Sequence, residues 1–159
     1  MRVFALTIAF VVGLSAVAFA DDDGDLRWGI SLWGLSYHVN RTIGYDQVNP
    51  GLGLRFYLNR YVFLEGDALR NSNRGITLPA SVGIELGIGS LSPACRLSAV
   101  GALTIAYYQN LRTKTDYFKV GPVPGMAVTC ARVKTNVVAI LSPSRHPLAA
   151  LAGSLTILL

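Results

Sequence analysis

Residues 76–88, "ITLPASVGIELGI", constrain the fold more than any other stretch, because apolar side chains recur there at every second position. Ile76, Leu78, Ala80, Val82, Ile84, Leu86 and Ile88 fall on one face, and Thr77, Ser81, Gly83, Glu85 and Gly87 on the other. Period two is the geometry of a pleated strand with a single apolar face. A helix would need apolar returns at three and four residues, and the Gly and Thr content opposes one. Residues 52–58 repeat the pattern, with Leu52, Leu54, Phe56 and Leu58 opposite Gly53, Arg55 and Tyr57.

The solvent these strands face follows from the rest of the chain. Residues 1–20, "MRVFALTIAFVVGLSAVAFA", join one early cation to an apolar run and a small-residue end, which predicts a secretory signal cleaved after Ala20. Residues 21–159 are then one domain with thirteen cations against nine acids, a net charge of +4. The cations are dispersed, so no patch for nucleic acid is expected. Hydrophobic residues make up 52% of the sequence and charged ones 14%, yet no segment after residue 20 is apolar for long enough to span as a helix. An exported, apolar chain without a membrane helix is expected to be an all-β, eight-stranded antiparallel up-and-down transmembrane β-barrel of the bacterial outer membrane, acting as a monomer. A soluble sandwich or lipocalin-like barrel is the structural competitor.

Eight strands are predicted at 27–39, 51–58, 61–70, 76–88, 94–109, 118–132, 136–142 and 148–159. Asn59-Arg60, 89–93 and 133–135 are tight turns, while 40–50, 71–75, 110–117 and 143–147 are polar loops. Short turns lie on the periplasmic side of such barrels and longer loops outside, so the first strand runs outward and His38 reaches the external end. Arg55, Glu65, Asp67, Glu85 and Arg96 form an inward set able to pair as ions inside a small barrel. With strands five and six turning near residue 113, Cys95 lies opposite 130 or 131, which predicts a structural disulfide to Cys130 at the periplasmic end.

Few residues carry recognisable chemistry. His146, in "SPSRHP", reads as a solvated loop residue. His38 shares the external rim with Ser72, from "ALRNSNRG", and an imidazole near a hydroxyl is the minimum for base-assisted nucleophilic attack. No GxSxG elbow, metal-ligand cluster or phosphate-cradling glycine loop is present, so no metal or cofactor is expected.

"YHVNRTIGYDQVNPGLGLRF" followed by "ALRNSNRG" resembles the PagP-type lipid A palmitoyltransferases. That family has a histidine near the end of strand 1, and a tyrosine-containing loop leading to a proline and a Gly-x-Gly strand, matched here by Tyr45, Pro50, Gly51 and Gly53. Leu69, Arg70, Asn71 and Ser72 correspond to its motif after strand 3. "VPGMAVTCARVKTNVVAILSP" is similar to its sixth and seventh strands. The resemblance implies an outer-membrane acyltransferase that moves a fatty acyl chain from a phospholipid to lipid A. His38, Ser72 and Asn71 would be the catalytic positions; Tyr45, Pro50, Pro122, Pro124 and Pro143 would border the substrate. The prolines cannot donate to a strand ladder, which fits lateral entry of an acyl chain between strands six and seven.

Two features depart from the family. Asn71 replaces its acid, and an amide orients a partner without stabilising an imidazolium by charge. "DDDGDLR" is too short for the family's N-terminal amphipathic helix. Strict alternation also turns Asn71 inward and Ser72 outward, so Ser72 meets His38 only if the strand has bent or ended by residue 71. The alternative is a catalytically silent barrel with a structural or lipid-binding role. A deacylase with a His-x-Ser pair on one strand is a third possibility, and that order of residues is not seen.

Overall fold

The computed structural model describes residues 27–39, 44–141 and 148–159; the expected signal segment, Pro143 and His146 lie outside them. Eight antiparallel strands follow one another around a closed barrel: β1 Arg27–His38, β2 Val48–Tyr57, β3 Val62–Arg70, β4 Ile76–Ser92, β5 Cys95–Asn110, β6 Thr115–Cys130, β7 Val133–Leu141 and β8 Leu148–Leu158. β8 closes onto β1, from Gly29↔Leu158 to His38↔Ala150. Closure leaves no sheet edge to satisfy, which is what a strand protein needs inside hydrocarbon.

The alternation of the sequence becomes inside and outside. Leu52, Leu54, Val82, Ile84, Leu86, Leu103, Ile105, Val120, Val137 and Ile157 point outward and are exposed. Over the paired small residues Gly66 and Ala80 this outer face carries an apolar groove walled by Phe56, Leu64, Val82 and Leu103. Charged residues on the outward-facing positions are confined to the rim, at Arg70 and Asp116.

The inward residues of the periplasmic half close the lumen. Arg55 pairs with Glu65 at 2.6 Å and lies 4.3 Å over the Phe63 ring. Ser31 donates to Glu65 at 2.8 Å and shares a hydrogen bond with Thr156, while Asn136 bonds Arg55, Ser154 and Thr156. Lys134 pairs with Glu85, and Tyr57 bonds both. Phe63 fills the centre against Val100 and Ala127. A Cβ at Gly83 would overlap that ring, so only glycine fits beneath it. Of the expected inward set, Arg55, Glu65, Asp67 and Glu85 are buried. Arg96 keeps the inner-face phase but is exposed at the end with the short turns, and Lys134 supplies the second buried cation. β7 begins at Val133 rather than 136, after a two-residue turn with Ala131 at φ 52°, and this brings Lys134 onto the inner face.

Cys95 pairs with Cys130 in register and the two form a disulfide beside the β7 turn, as the spacing predicts. β4 runs 17 residues, from Ile76 to Ser92, beyond the expected end at 88, and bulges near Gly87/Gly89 and Ser90/Ser92 accommodate the excess. β5 has the expected length, and β6 starts earlier, at Thr115.

Candidate functional site at the outer rim

Three segments meet at the end of the barrel that carries the longer loops: the end of β1, the residues before β2, and the β3–β4 loop. The face that β1 presents there is set by an irregularity at Gly34. Trp33 pairs with Ser154 and Leu35 with the next residue of β8, Gly153, so Gly34 is an extra residue in that ladder. Below it Gly29, Ser31 and Trp33 face inward. Above it the phase slips, and Ser36 and His38 lie opposite Ala152 and Ala150, both on the inner face. Leu35 and Tyr37 turn out and are exposed. The bulge therefore delivers the histidine to the lumen.

His38 makes its ring hydrogen bond to Ser36, with Nε2 and Oγ 3.2 Å apart. Asn49, buried at the start of β2, donates from Nδ2 to the same Ser36 oxygen and lies 3.4 Å from the Asp46 carbonyl oxygen. Tyr45 covers the imidazole at 4.5 Å between ring centroids. Gln47 accepts from the His38 backbone N–H. Of the residues expected at the site, His38 and Tyr45 are thus brought together.

Ser72 and Asn71 are close in the fold but joined to this group differently. β3 ends at Arg70, so strand alternation no longer dictates their faces. The Ser72 carbonyl accepts from the Asp46 N–H at 3.3 Å, and Asp46 in turn pairs with Arg70 and Arg74 at 3.6 and 3.8 Å. Asn71 is buried and fully engaged, in its own loop and across to β4 and β5. Its Oδ1 accepts from the N–H groups of Asn73 and Gly75, and its Nδ2 donates to Thr77 Oγ1 and the Gln109 carbonyl. This is an Asx-type turn anchor. Gly75 is held so close to the Gln109 carbonyl that a Cβ would overlap it.

The expected substrate prolines divide. Pro50 is exposed on the outer face of β2, and Pro122 and Pro124 are exposed on the outer face of β6. The β6–β7 ladder runs only from Cys130↔Val133 to Gly125↔Val138, and above it residues 115–124 of β6 have no partner in β7. Pro122 and Pro124 lie in that stretch, which among the described residues is paired only with β5, so a missing N–H on its other side costs no ladder bond. Inside the external half, small or apolar residues (Pro79, Ala102, Ala106, Val123, Val138 and Ala152) share the wall with polar ones: Asp67, which accepts from Trp33 Nε1 at 2.8 Å, Thr77, Thr104 and Tyr108. Cations ring the mouth at Arg70, Arg74, Arg112, Lys114 and Lys119. Among the described residues no group of His, Cys, Asp and Glu has the makings of a metal site.

Sequence reasoning missed Ser36 and Asn49. The available signal was the apolar phase of β1, which runs Trp28, Ile30, Leu32 and then Leu35, Tyr37: the three-residue step marks the bulge and puts Ser36 with His38.

The chain matches no protein-family model and no curated protein. Among solved structures it is similar to the N-terminal β-barrel domain of Pseudomonas aeruginosa OprF, with a TM-score of 0.52 and 10% identity over 83% of this chain and 95% of that one. A de novo designed transmembrane β-barrel aligns with a TM-score of 0.49 and 13% identity, over 84% of this chain and 95% of the design. The fold is that of the outer-membrane eight-stranded barrels.

Proposed function

We propose that this barrel is a divergent PagP-type enzyme of the outer membrane, which moves a fatty acyl chain from a phospholipid to lipid A or a related surface lipid. The observation that carries the reading is the inward-facing His38 at the mouth of the lumen, beside a stretch of β6 that has no partner in β7. A base at that height meets ester groups at the headgroup level. The gap in the ladder offers a tail a sideways route into the wall, and the cations of the mouth suit lipid phosphates. The ion-pair cluster beneath acts as a floor that keeps water from the periplasmic side out of the acyl site.

Expression in a host that makes lipid A tests it. Mass spectrometry of the extracted lipids should show one added acyl chain, lost in His38→Ala. An unchanged lipid profile from well-folded protein would overturn the reading.

A silent, lipid-holding barrel is the second reading, favoured by one specific observation. Asn71 spends its hydrogen bonds on Asn73, Gly75, Thr77 and the Gln109 carbonyl and has none for His38. Stable co-purification of lipid without turnover, unaffected by His38→Ala, would select it.

A further inference from the structure

We propose that Ser36, two residues before the histidine on the same strand, is the nucleophile that His38 serves, with Asn49 as its positioning residue. Side chains at i and i+2 of a strand share a face, and the pair here projects into the lumen. Oγ and Nε2 are 3.2 Å apart, within the reach of a general base awaiting substrate. Directions follow from the inventory of donors. The Asp46 carbonyl fixes Asn49 with its Nδ2 toward Ser36, so Asn49 donates to Oγ and the hydroxyl hydrogen is left for Nε2. Asn49 Oδ1 is buried without a partner among the described residues. Ser72, by contrast, reaches this group through its backbone carbonyl on Asp46.

The chemistry balances without a cofactor. Oγ attacks the ester carbonyl carbon of the donor lipid, its proton passes to Nε2, and the carbonyl π pair moves onto oxygen. Collapse breaks the bond to the donor alcohol, which takes the proton from Nε2 and leaves as lyso-lipid, with the acyl group on Ser36. A hydroxyl of the acceptor lipid then attacks the acyl-serine, gives its proton to Nε2, and Oγ departs and recovers that proton. Water in the acceptor's place gives hydrolysis. The substrate class rests on the acyl-transfer reading; the assignment of the nucleophile does not.

Two measurements separate them. The full-length barrel in detergent is treated with a long-chain alkyl fluorophosphonate, whose P–F bond is exchanged for a bond to an activated serine oxygen. Tandem mass spectrometry should place the adduct on Ser36, with labelling at least about 100-fold slower in Ser36→Ala and in His38→Ala. Asn49→Ala should lower the maximal labelling rate without changing the half-saturating probe concentration, and unchanged kinetics would remove Asn49 from the assignment. In the lipid assay, Ser36→Ala should abolish acyl addition and Ser72→Ala should retain it, with the strand signature in circular dichroism confirming each fold. Should Ser36→Ala misfold, Ser36→Cys serves instead, and its thiol should carry the acyl chain as a thioester. Labelled Ser36 with unchanged host lipids would uphold the nucleophile and overturn acyl transfer to surface lipid. Acylated lipid from folded Ser36→Ala, or an adduct on Ser72, would overturn the nucleophile and leave the function standing.

Discussion

At the scale of single residues, position 71 separates resemblance from working chemistry. Where the lipid A palmitoyltransferases that this sequence resembles carry an acid, an amide stands here, and the amide is not a weakened acid but a different part. Both of its ends are used, with oxygen toward two backbone N–H groups and nitrogen toward a carbonyl and a hydroxyl. Restoring the acid would set a carboxylate oxygen against the Gln109 carbonyl, where two acceptors repel. Asn71→Asp is therefore expected to destabilise the barrel by about 1–3 kcal/mol, the cost of an unmade buried hydrogen bond, and to give no gain in acyl transfer. Denaturant unfolding in detergent and the lipid assay check the two parts. A stable Asn71→Asp variant with raised activity would show that the position still serves the histidine as an acid.

At the scale of elements, the β1 bulge is held by what it sorts rather than by the freedom of its glycine. A Cβ at Gly34 meets nothing within 4 Å, and the residue is not among those with positive φ. What fixes the slip is that Leu35 and Tyr37 go outward while Ser36 and His38 go inward. Gly34→Ala should accordingly change stability by no more than about 0.5 kcal/mol. Gly83→Ala, whose Cβ overlaps the Phe63 ring, should cost about 1–3 kcal/mol through overpacking. Urea midpoints for the two variants, measured side by side, decide it; equal losses would mean that the bulge does depend on glycine. The same elements explain what could be read in advance. Alternation located eight strands and four of the buried inner charges, Arg55, Glu65, Asp67 and Glu85, and counting from a turn near residue 113 put Cys95 opposite 130 or 131, because register is discrete in a two-residue pleat. Lys134 was hidden since "VKTN" reads as a polar turn, and nothing local announces that Ala131 will take a positive φ and tighten the reversal. Ser36 was hidden because a serine–histidine pair at i and i+2 has meaning only once the phase of the strand is known. Pairings between segments far apart in sequence, such as Asp46 with the Ser72 carbonyl, belong to closure of the whole sheet and leave no local trace.

At the scale of the whole molecule, the barrel is inverted relative to a soluble protein, with its ion pairs inside and its leucines outside. In water such a surface would be far larger than the apolar patches that monomers tolerate. In a bilayer it is the matching solvent, and the penalty falls instead on charge, by depth. Leu103 sits midway along β5, outward and 55% exposed, while Val48 lies outward at the external end of β2. For a barrel folded in phospholipid vesicles, Leu103→Arg should cost about 2–4 kcal/mol and Val48→Arg no more than about 1 kcal/mol. A soluble barrel makes the opposite forecast, because replacing an exposed leucine by arginine in water is close to neutral. Unfolding free energies of the two variants thus measure the solvent directly. Equal and small losses at both depths, together with a monodisperse chain in detergent-free buffer, would remove the membrane from the account. They would also remove the reason for an inward-facing histidine at the rim.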